Sequence, residues 1–353
     1  MNGLSATSPD RRPRRALRAR AALAALAVGA SAAVTGCSAS AAATDDGVVT
    51  LRYQGWNDQV TLPELAEALG YFDGKVKLDW VGNTISGPQD IQSAATGQTD
   101  FGGAFGGAVE KLVSSGAPIK AVINYYGGDK QSFTGYYVLN GSPLTSAKQL
   151  IGKKVGVNTL GGQNEADIFN ELRKSGLSAD QVKKVELVPL PPPNIENALR
   201  HHQVDVAALS GQFQQLAVKH GGIHALFTEL DEYGPFHGGQ YVFRNDFIAK
   251  HPDAVRAFTT GVAKAIAWEN TTPRAKVLAE FTKIIDARKR TNEDTTSIKY
   301  WLSSGIPSQH GVISDKDFAH WKDWLLSTGS VKTVPASSKL YTNRFNAYAS
   351  TGR

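Results

Sequence analysis

GNTISGPQDIQSAATGQTDFGGAFGG, residues 82–107, carries the signals of a helix, a strand and a second helix in quick succession. Ser86 suits an N-cap, and Pro88 falls where a missing N–H does no harm. Ile91, Ala94 and Ala95 recur at helical spacing, and Gly97 stops the run. Asp100-Phe101-Gly102-Gly103 then reads as a short buried strand entering a glycine-loosened turn, with a second helix over 108–115. Two helix N-termini are thereby set close together beside strand ends. Their free N–H groups and partial positive charge suit the head group of a small, often anionic ligand. Ordinary βα connections in a three-layer α/β domain look the same, so the stretch decides the fold class before the function.

Outward from it the rhythm repeats. Strands are expected over 48–53 and 76–81, with a helix carrying Leu62, Leu65, Ala66 and Leu69 between them, then strands over 118–126 and 135–139. A second series follows: strands over 153–158, 184–188, 204–209 and 223–227, with helices over 162–175, 193–200 and 211–219. From Gly239 a further strand leads to helical patterns over 252–270, 273–287, 292–302 and 314–327, and the last twenty-odd residues read as a loose tail. Strands alternating with helices imply mostly parallel sheets covered on both faces. The expected architecture is two three-layer α/β lobes joined by two crossover strands, 134–138 outward and 239–243 back, with a C-terminal helical extension. Lobe 1 comprises 48–135 and 240–330, lobe 2 comprises 136–239, and 331–353 is the tail. Two crossings make a hinge, with a ligand cleft between the lobes.

The formal charge of +6 is concentrated at the start. Six arginines and Asp10 in residues 1–36 account for +5 of it, leaving +1 for the rest. A near-neutral body argues against nucleic-acid binding, which needs a clustered basic face. The arginine-rich start runs into an alanine-rich apolar segment over 16–34, too short in its uninterrupted part for a comfortable membrane span. It ends in Val34-Thr35-Gly36-Cys37, which resembles a bacterial lipobox, and Cys37 is the sole cysteine of the chain. Residues 1–36 are therefore expected to be a lipoprotein signal peptide, either Sec- or twin-arginine-routed. Cys37 is then the lipidated N-terminus outside the cytoplasmic membrane, and 37–47 a flexible linker. One cysteine leaves no disulfide.

Several pieces in order resemble a known family. They are Leu51-Arg52-Tyr53-Gln54, Ser86-Gly87-Pro88-Gln89, the run from Ala95 to Gly102, Ser142-Pro143-Leu144, the run from Leu150 to Val157, that from Leu172 to Leu177, and Val204-Asp205. Behind a lipobox, over residues 48–270, they resemble the solute-binding proteins of ABC importers for aliphatic sulfonates, taurine, nitrate and thiamine-type pyrimidines. That resemblance implies a type II periplasmic-binding-protein fold, a permease and ATPase as partners, a monomer, no cofactor and no catalysis. The chain departs from relatives where the ligand is chosen. Phe105-Gly106-Gly107-Ala108 stands where an acid and prolines are common, Glu165 where a histidine is, and Ser210-Gly211-Gln212 where Trp-Asp-Pro is.

The loops expected to face the cleft supply Gln54, Trp56 and Asn57; Ser86 and Gly87; Phe105 and Gly106; Thr159, Gly162, Gln163, Asn164 and Glu165; Ser210, Gln212 and Phe213; and Tyr241. Aromatic and amide groups beside helix N-termini suit a small polar organic molecule. Each has a plain structural role open to it, as core, strand cover or helix cap. Glu165, in a first helical turn, either stabilises the helix dipole at the surface or faces the cleft. In the second case it disfavours a simple anion and favours an amine, as in an aminosulfonate or an aminopyrimidine-like ring. These loops hold no Lys or Arg. The eight histidines make no metal-ligand pattern. Nucleophile-elbow, phosphate-loop and dinucleotide motifs are absent.

Two other readings remain. An enzyme on the same scaffold, related to thiamine-pyrimidine synthases, would carry a cysteine-rich motif that this chain lacks. A ligand sensor docking on a membrane receptor is not excluded by the sequence.

Overall fold

The computed structural model describes residues 47–291, 293 and 295–349, all within one unit, Ala39–Arg353. The signal segment, Cys37 and all of the linker but Gly47 lie outside the described residues. Among the described residues no helix is long and apolar enough to cross a membrane.

The chain begins with β1 (Val49–Gly55), α1 (Leu62–Ala68), β2 (Val76–Asn83), α2 (Gly87–Thr96), β3 (Phe101–Phe105), α3 (Gly106–Ser114) and β4 (Ile119–Gly128). Helix starts are locally encoded. Thr61 and Glu64 form a capping box at α1, and Ser86 caps α2, which ends at Gly97 in the left-handed region (φ 80). All of β3 is buried, and its glycines are required by close packing. A Cβ on Gly102 would lie 2.5 Å from the Asp90 carbonyl oxygen, so α2 can rest directly on the strand only where there is no side chain.

The middle of the chain holds β5 (Gly135–Leu139), β6 (Lys154–Val157), α4 (Gln163–Lys174), α5 (Ala179–Val182), β7 (Glu186–Pro189), α6 (Pro192–Arg200), β8 (Val206–Leu209), α7 (Gly211–His220), β9 (Ile223–Thr228) and α8 (Glu229–Tyr233). These strands form one five-stranded sheet in the order β7-β6-β8-β5-β9, with β6 parallel to both its neighbours and β5 antiparallel to both of its own. β10 (Phe236–Arg244) returns to the first part of the chain and lies antiparallel between β3 and β4. β1 and β2 pair in parallel. Asp100 joins that pair to β3: its N–H donates to the Arg52 carbonyl at 2.9 Å, and its carboxylate accepts from Arg52 N–H at 2.8 Å.

The crossings lie slightly before the expected segments. They are the connections between β4 and β5 and between β9 and β10, while 239–243 sits inside β10. β10 is buried because it is the central strand of its sheet, so the turn of direction must come before it. The crossings are tied to each other: Thr134 N–H donates to the Glu229 carboxylate at 2.7 Å, and Glu229 N–H to the Thr134 carbonyl at 3.1 Å.

The remaining elements are α9 (Asn245–Lys250), α10 (Pro252–Thr271), α11 (Arg274–Arg288), α12 (Lys316–Ala319), α13 (Lys322–Ser327) and α14 (Ser337–Leu340). Three expectations fail here. The helix over 292–302 is, among the described residues, one 3₁₀ turn, Ile298–Tyr300. The Arg274 guanidinium donates to the Lys299 and Trp301 carbonyls there, the latter at 2.8 Å. The helix over 314–327 is broken in two because the Trp321 indole N–H occupies the Asp317 carbonyl, at 3.2 Å, in place of the backbone N–H. The tail is docked rather than loose: Leu340 and Phe345 are buried, and the Asn343 side chain bonds both backbone groups of Ile313.

One apolar cluster surrounds β1, α1, α10 and α11. A second runs continuously from Phe105 and Val109 through Trp321 and Trp324 to Phe169 and Leu172, so α12 and α13 join the two parts of the fold at the back. A third, around Ile195 and Leu199, covers the other face of the five-stranded sheet.

Candidate functional site

A cavity of about 320 Å³ opens where the ends of the two large sheets face each other. Several helix N-termini reach it, among them those of α2, α4 and α7. Gly87 and Pro88 come from α2, Gln163 and Asn164 from α4 with Gly162 before them, and Gly211 and Gln212 from α7 behind Ser210. Tight turns place them there, because each helix follows a strand directly or after a short loop. Aromatic rings form much of the wall. Tyr125 of β4 stacks on Tyr241 of β10 with centroids 4.1 Å apart, and Tyr126 meets Tyr125 edge-on at 4.8 Å. Trp56, Phe105, Phe133, Phe213, Phe281 and Trp301 complete it.

Of the residues picked out in sequence, Trp56, Gly87, Phe105, Thr159, Gly162, Gln163, Asn164, Ser210, Gln212, Phe213 and Tyr241 line this cavity. The others stand outside its lining. The Ser86 hydroxyl accepts from Gln89 N–H as a buried helix cap. Gly106 is pressed against the Trp321 indole, where a Cβ would lie 2.7 Å from the ring nitrogen. The Asn57 amide bonds Asp58 and Asn83, and Gln54 sits within β1. Glu165 is turned away: its carboxylate accepts from Gly161 N–H at 2.8 Å, closing the loop before α4. The local helix-start role has won at this position.

The carboxylates of the cavity are Glu229 and Glu269. Neither was anticipated from sequence, although Glu229 opens a short acidic helix directly after a strand. Glu229 accepts from Thr134 N–H and from the Gln163 side-chain amide, both at 2.7 Å, and Gln163 in turn accepts from the Tyr126 hydroxyl at 2.6 Å. Burial pushes the Glu229 carboxyl up to about 7, against the opposing pull of those hydrogen bonds. Burial likewise raises Glu269 to about 7, although its carboxylate accepts from Ser304 N–H at 2.9 Å. Beneath Glu229, Asp167 is fully buried between the Tyr136 and Tyr233 hydroxyls, its carboxyl pushed well up by burial and by the charge of Glu229.

Among the described residues that line the cavity none is Lys, Arg or His. Gln212, a lining residue, ties α7 to distant segments: its amide donates to Ser297 Oγ at 2.7 Å and to the Asp58 carbonyl at 3.0 Å. Among the described residues no group of three or more His, Cys, Asp or Glu is disposed to hold a metal ion.

The profile of the NMT1/THI5-like family matches residues 58–276. No curated protein matches the sequence. Among solved structures, the alkanesulfonate-binding protein from Xanthomonas axonopodis pv. citri, bound to MOPS, superposes with a TM-score of 0.66 at 18% identity, covering 83% of this chain and 98% of that one. The periplasmic aliphatic sulphonate binding protein from Escherichia coli gives 0.63 at 19% identity, covering 82% and 91%. The periplasmic nitrate-binding protein from Synechocystis PCC 6803 gives 0.62 at 15% identity, covering 86% and 89%. At such identities the likeness is one of fold, that of type II periplasmic binding proteins.

Proposed function

The chain belongs to the NMT1/THI5-like family, and from that premise we propose that it is an extracytoplasmic solute-binding protein that delivers a small polar organic solute to an ABC permease and its ATPase. It acts without catalysis, as a monomer anchored to the outer face of the cytoplasmic membrane through lipid on Cys37. Two lobes, 48–135 with 240–330 and 136–239, close on the solute about the paired crossings.

The observation that carries this reading is the cavity itself, lined by residues of both large sheets and walled by aromatic rings around a few polar groups. The fold shared with the sulfonate- and nitrate-binding proteins supports it. Taurine-like and aminopyrimidine-like solutes suit the lining better than plain oxyanions, because among the described residues no Lys, Arg or His lines the cavity.

Trp56 and Trp301 line the cavity and report on it. Titration of tryptophan fluorescence with taurine, ethanesulfonate, nitrate and an aminopyrimidine, with thermal shift alongside, is expected to show saturable one-to-one binding of one class. If neither these four nor choline changes fluorescence or melting temperature, the solute-binding reading is wrong.

A further inference from the structure

We propose that the solute carries a cationic ammonium group, protonated or quaternary, held by Glu229 and Glu269 inside the aromatic wall of the cavity. This rests on the solute-binding reading and narrows it to a charge class.

The two acids line the same cavity and are linked through one stretch of backbone. Glu229 closes on the Gly127–Gly128 backbone, where a Cβ on Gly128 would lie 3.4 Å from its carboxylate oxygen. On the same backbone Gly127 N–H donates to the Ser304 carbonyl at 3.2 Å, and Ser304 N–H holds the Glu269 carboxylate. Both side chains come from fully formed elements, α8 and α10, and both residues are buried, at 2% and 7% exposure. Buried carboxylates are ordinarily paired with a cation or well supplied with donors. Glu229 and Glu269 have neutral donors, but among the described residues no Lys or Arg pairs with either, and the charges recorded near Glu269 and Asp167 are acids. Asp129 acts on Glu269, and Glu229 and Glu232 act on Asp167 below. Each carboxyl is accordingly pushed up to about 7 by burial, a condition that an incoming cation relieves.

The surroundings fit the same chemistry. The stacked Tyr125 and Tyr241 rings, with Tyr126, Trp56 and Trp301, offer the π faces that attract a desolvated ammonium. Among the described lining residues a simple oxyanion would meet two carboxylates and no Lys, Arg or His. A zwitterion remains compatible, because the first turns of α2, α4 and α7 supply N–H donors for an acidic end.

Calorimetry on the purified protein decides this with matched probes: taurine against ethanesulfonate, choline against its uncharged carbon isostere 3,3-dimethyl-1-butanol, and nitrate and a neutral aminopyrimidine as controls. An ammonium compound is expected to bind at least about tenfold more tightly than its uncharged or amine-lacking partner. Glu229→Gln and Glu269→Gln should each weaken the ammonium probe about ten- to a hundredfold while leaving the uncharged partner unchanged. Glu269→Gln carries the decision if Glu229→Gln does not fold. If ethanesulfonate, nitrate or the aminopyrimidine binds as tightly as any ammonium compound, or the variants bind normally, the ammonium assignment is overturned and solute binding stands. If no probe binds, both fall.

Discussion

Thr134 and Glu229 exchange two hydrogen bonds, a backbone N–H to a carboxylate at 2.7 Å one way and a backbone N–H to a carbonyl at 3.1 Å the other. Each residue lies where the chain passes between the two large sheets. The tie therefore holds the crossings side by side and fixes the position of a cavity acid at the same time.

Closure should pivot about those crossings. With a solute from the probe set bound, small-angle scattering is expected to show a smaller radius of gyration than without it. Tight binding with an unchanged radius would rule out lobe closure as the mechanism.

Gln212 is buried and fastens α7 to the opposite rim through Ser297 and Asp58. Gln212→Ala removes about 0.5–1.5 kcal/mol of hydrogen bonding from this tie. Stopped-flow fluorescence should show solute leaving roughly two- to tenfold faster, with little change in the association rate. An unchanged dissociation rate would mean that this bridge does not resist opening.

Trp321 is fully buried edge-on against Phe105 at 5.2 Å, in the cluster that joins both parts of the fold. Trp321→Ala should destabilise the protein by about 3–5 kcal/mol in urea denaturation. A loss under about 1 kcal/mol would show the C-terminal segment to be an appendage.

Burial pushes the Asp90 carboxyl up from 3.8 to about 7, and only Gly103 N–H, at 2.7 Å, opposes it. A carboxyl whose pKa is raised by folding lends stability that is whole below its unfolded value near 3.8 and is lost as pH rises through about 7. Glu110, raised to about 8, and Glu269, raised to about 7, act in the same sense. Melting temperature should therefore fall between pH 5 and pH 8.5, and Asp90→Asn should remove part of that fall. A variant with the wild-type slope would show that Asp90 does not ionise in this range.

Cys37 lies outside the described residues, and its lipidation is tested in cells. Replacing Cys37 with Ala should release the protein from the membrane fraction into the medium. Retention on membranes after a high-salt wash would refute the anchor.

Much of the fold was legible because its signals are local. Apolar spacing, the caps at Thr61 and Ser86 and the stop at Gly97 each act within a few residues, so the alternation of strands and helices could be read directly. The glycines of β3 were legible as a pattern, whereas the reason for Gly102 lay in how closely α2 packs on it. Side-chain contacts defeated the C-terminal reading. The Trp321 indole takes the Asp317 carbonyl four residues away, and the tail docks through Asn343 onto Ile313, contacts that apolar spacing does not reveal. The same limit governs the acid of the site. Glu165 stood out because a first-turn acid is a local signature, yet its carboxylate serves the adjacent Gly161. Glu229 reaches the cavity only after the crossings pair and bring Thr134, Gln163 and Tyr126 around it from distant parts of the chain. Spacing encodes which residues share a face of one element; which carboxylate faces a cavity depends on how elements far apart in sequence pack, and only the tertiary structure decides that.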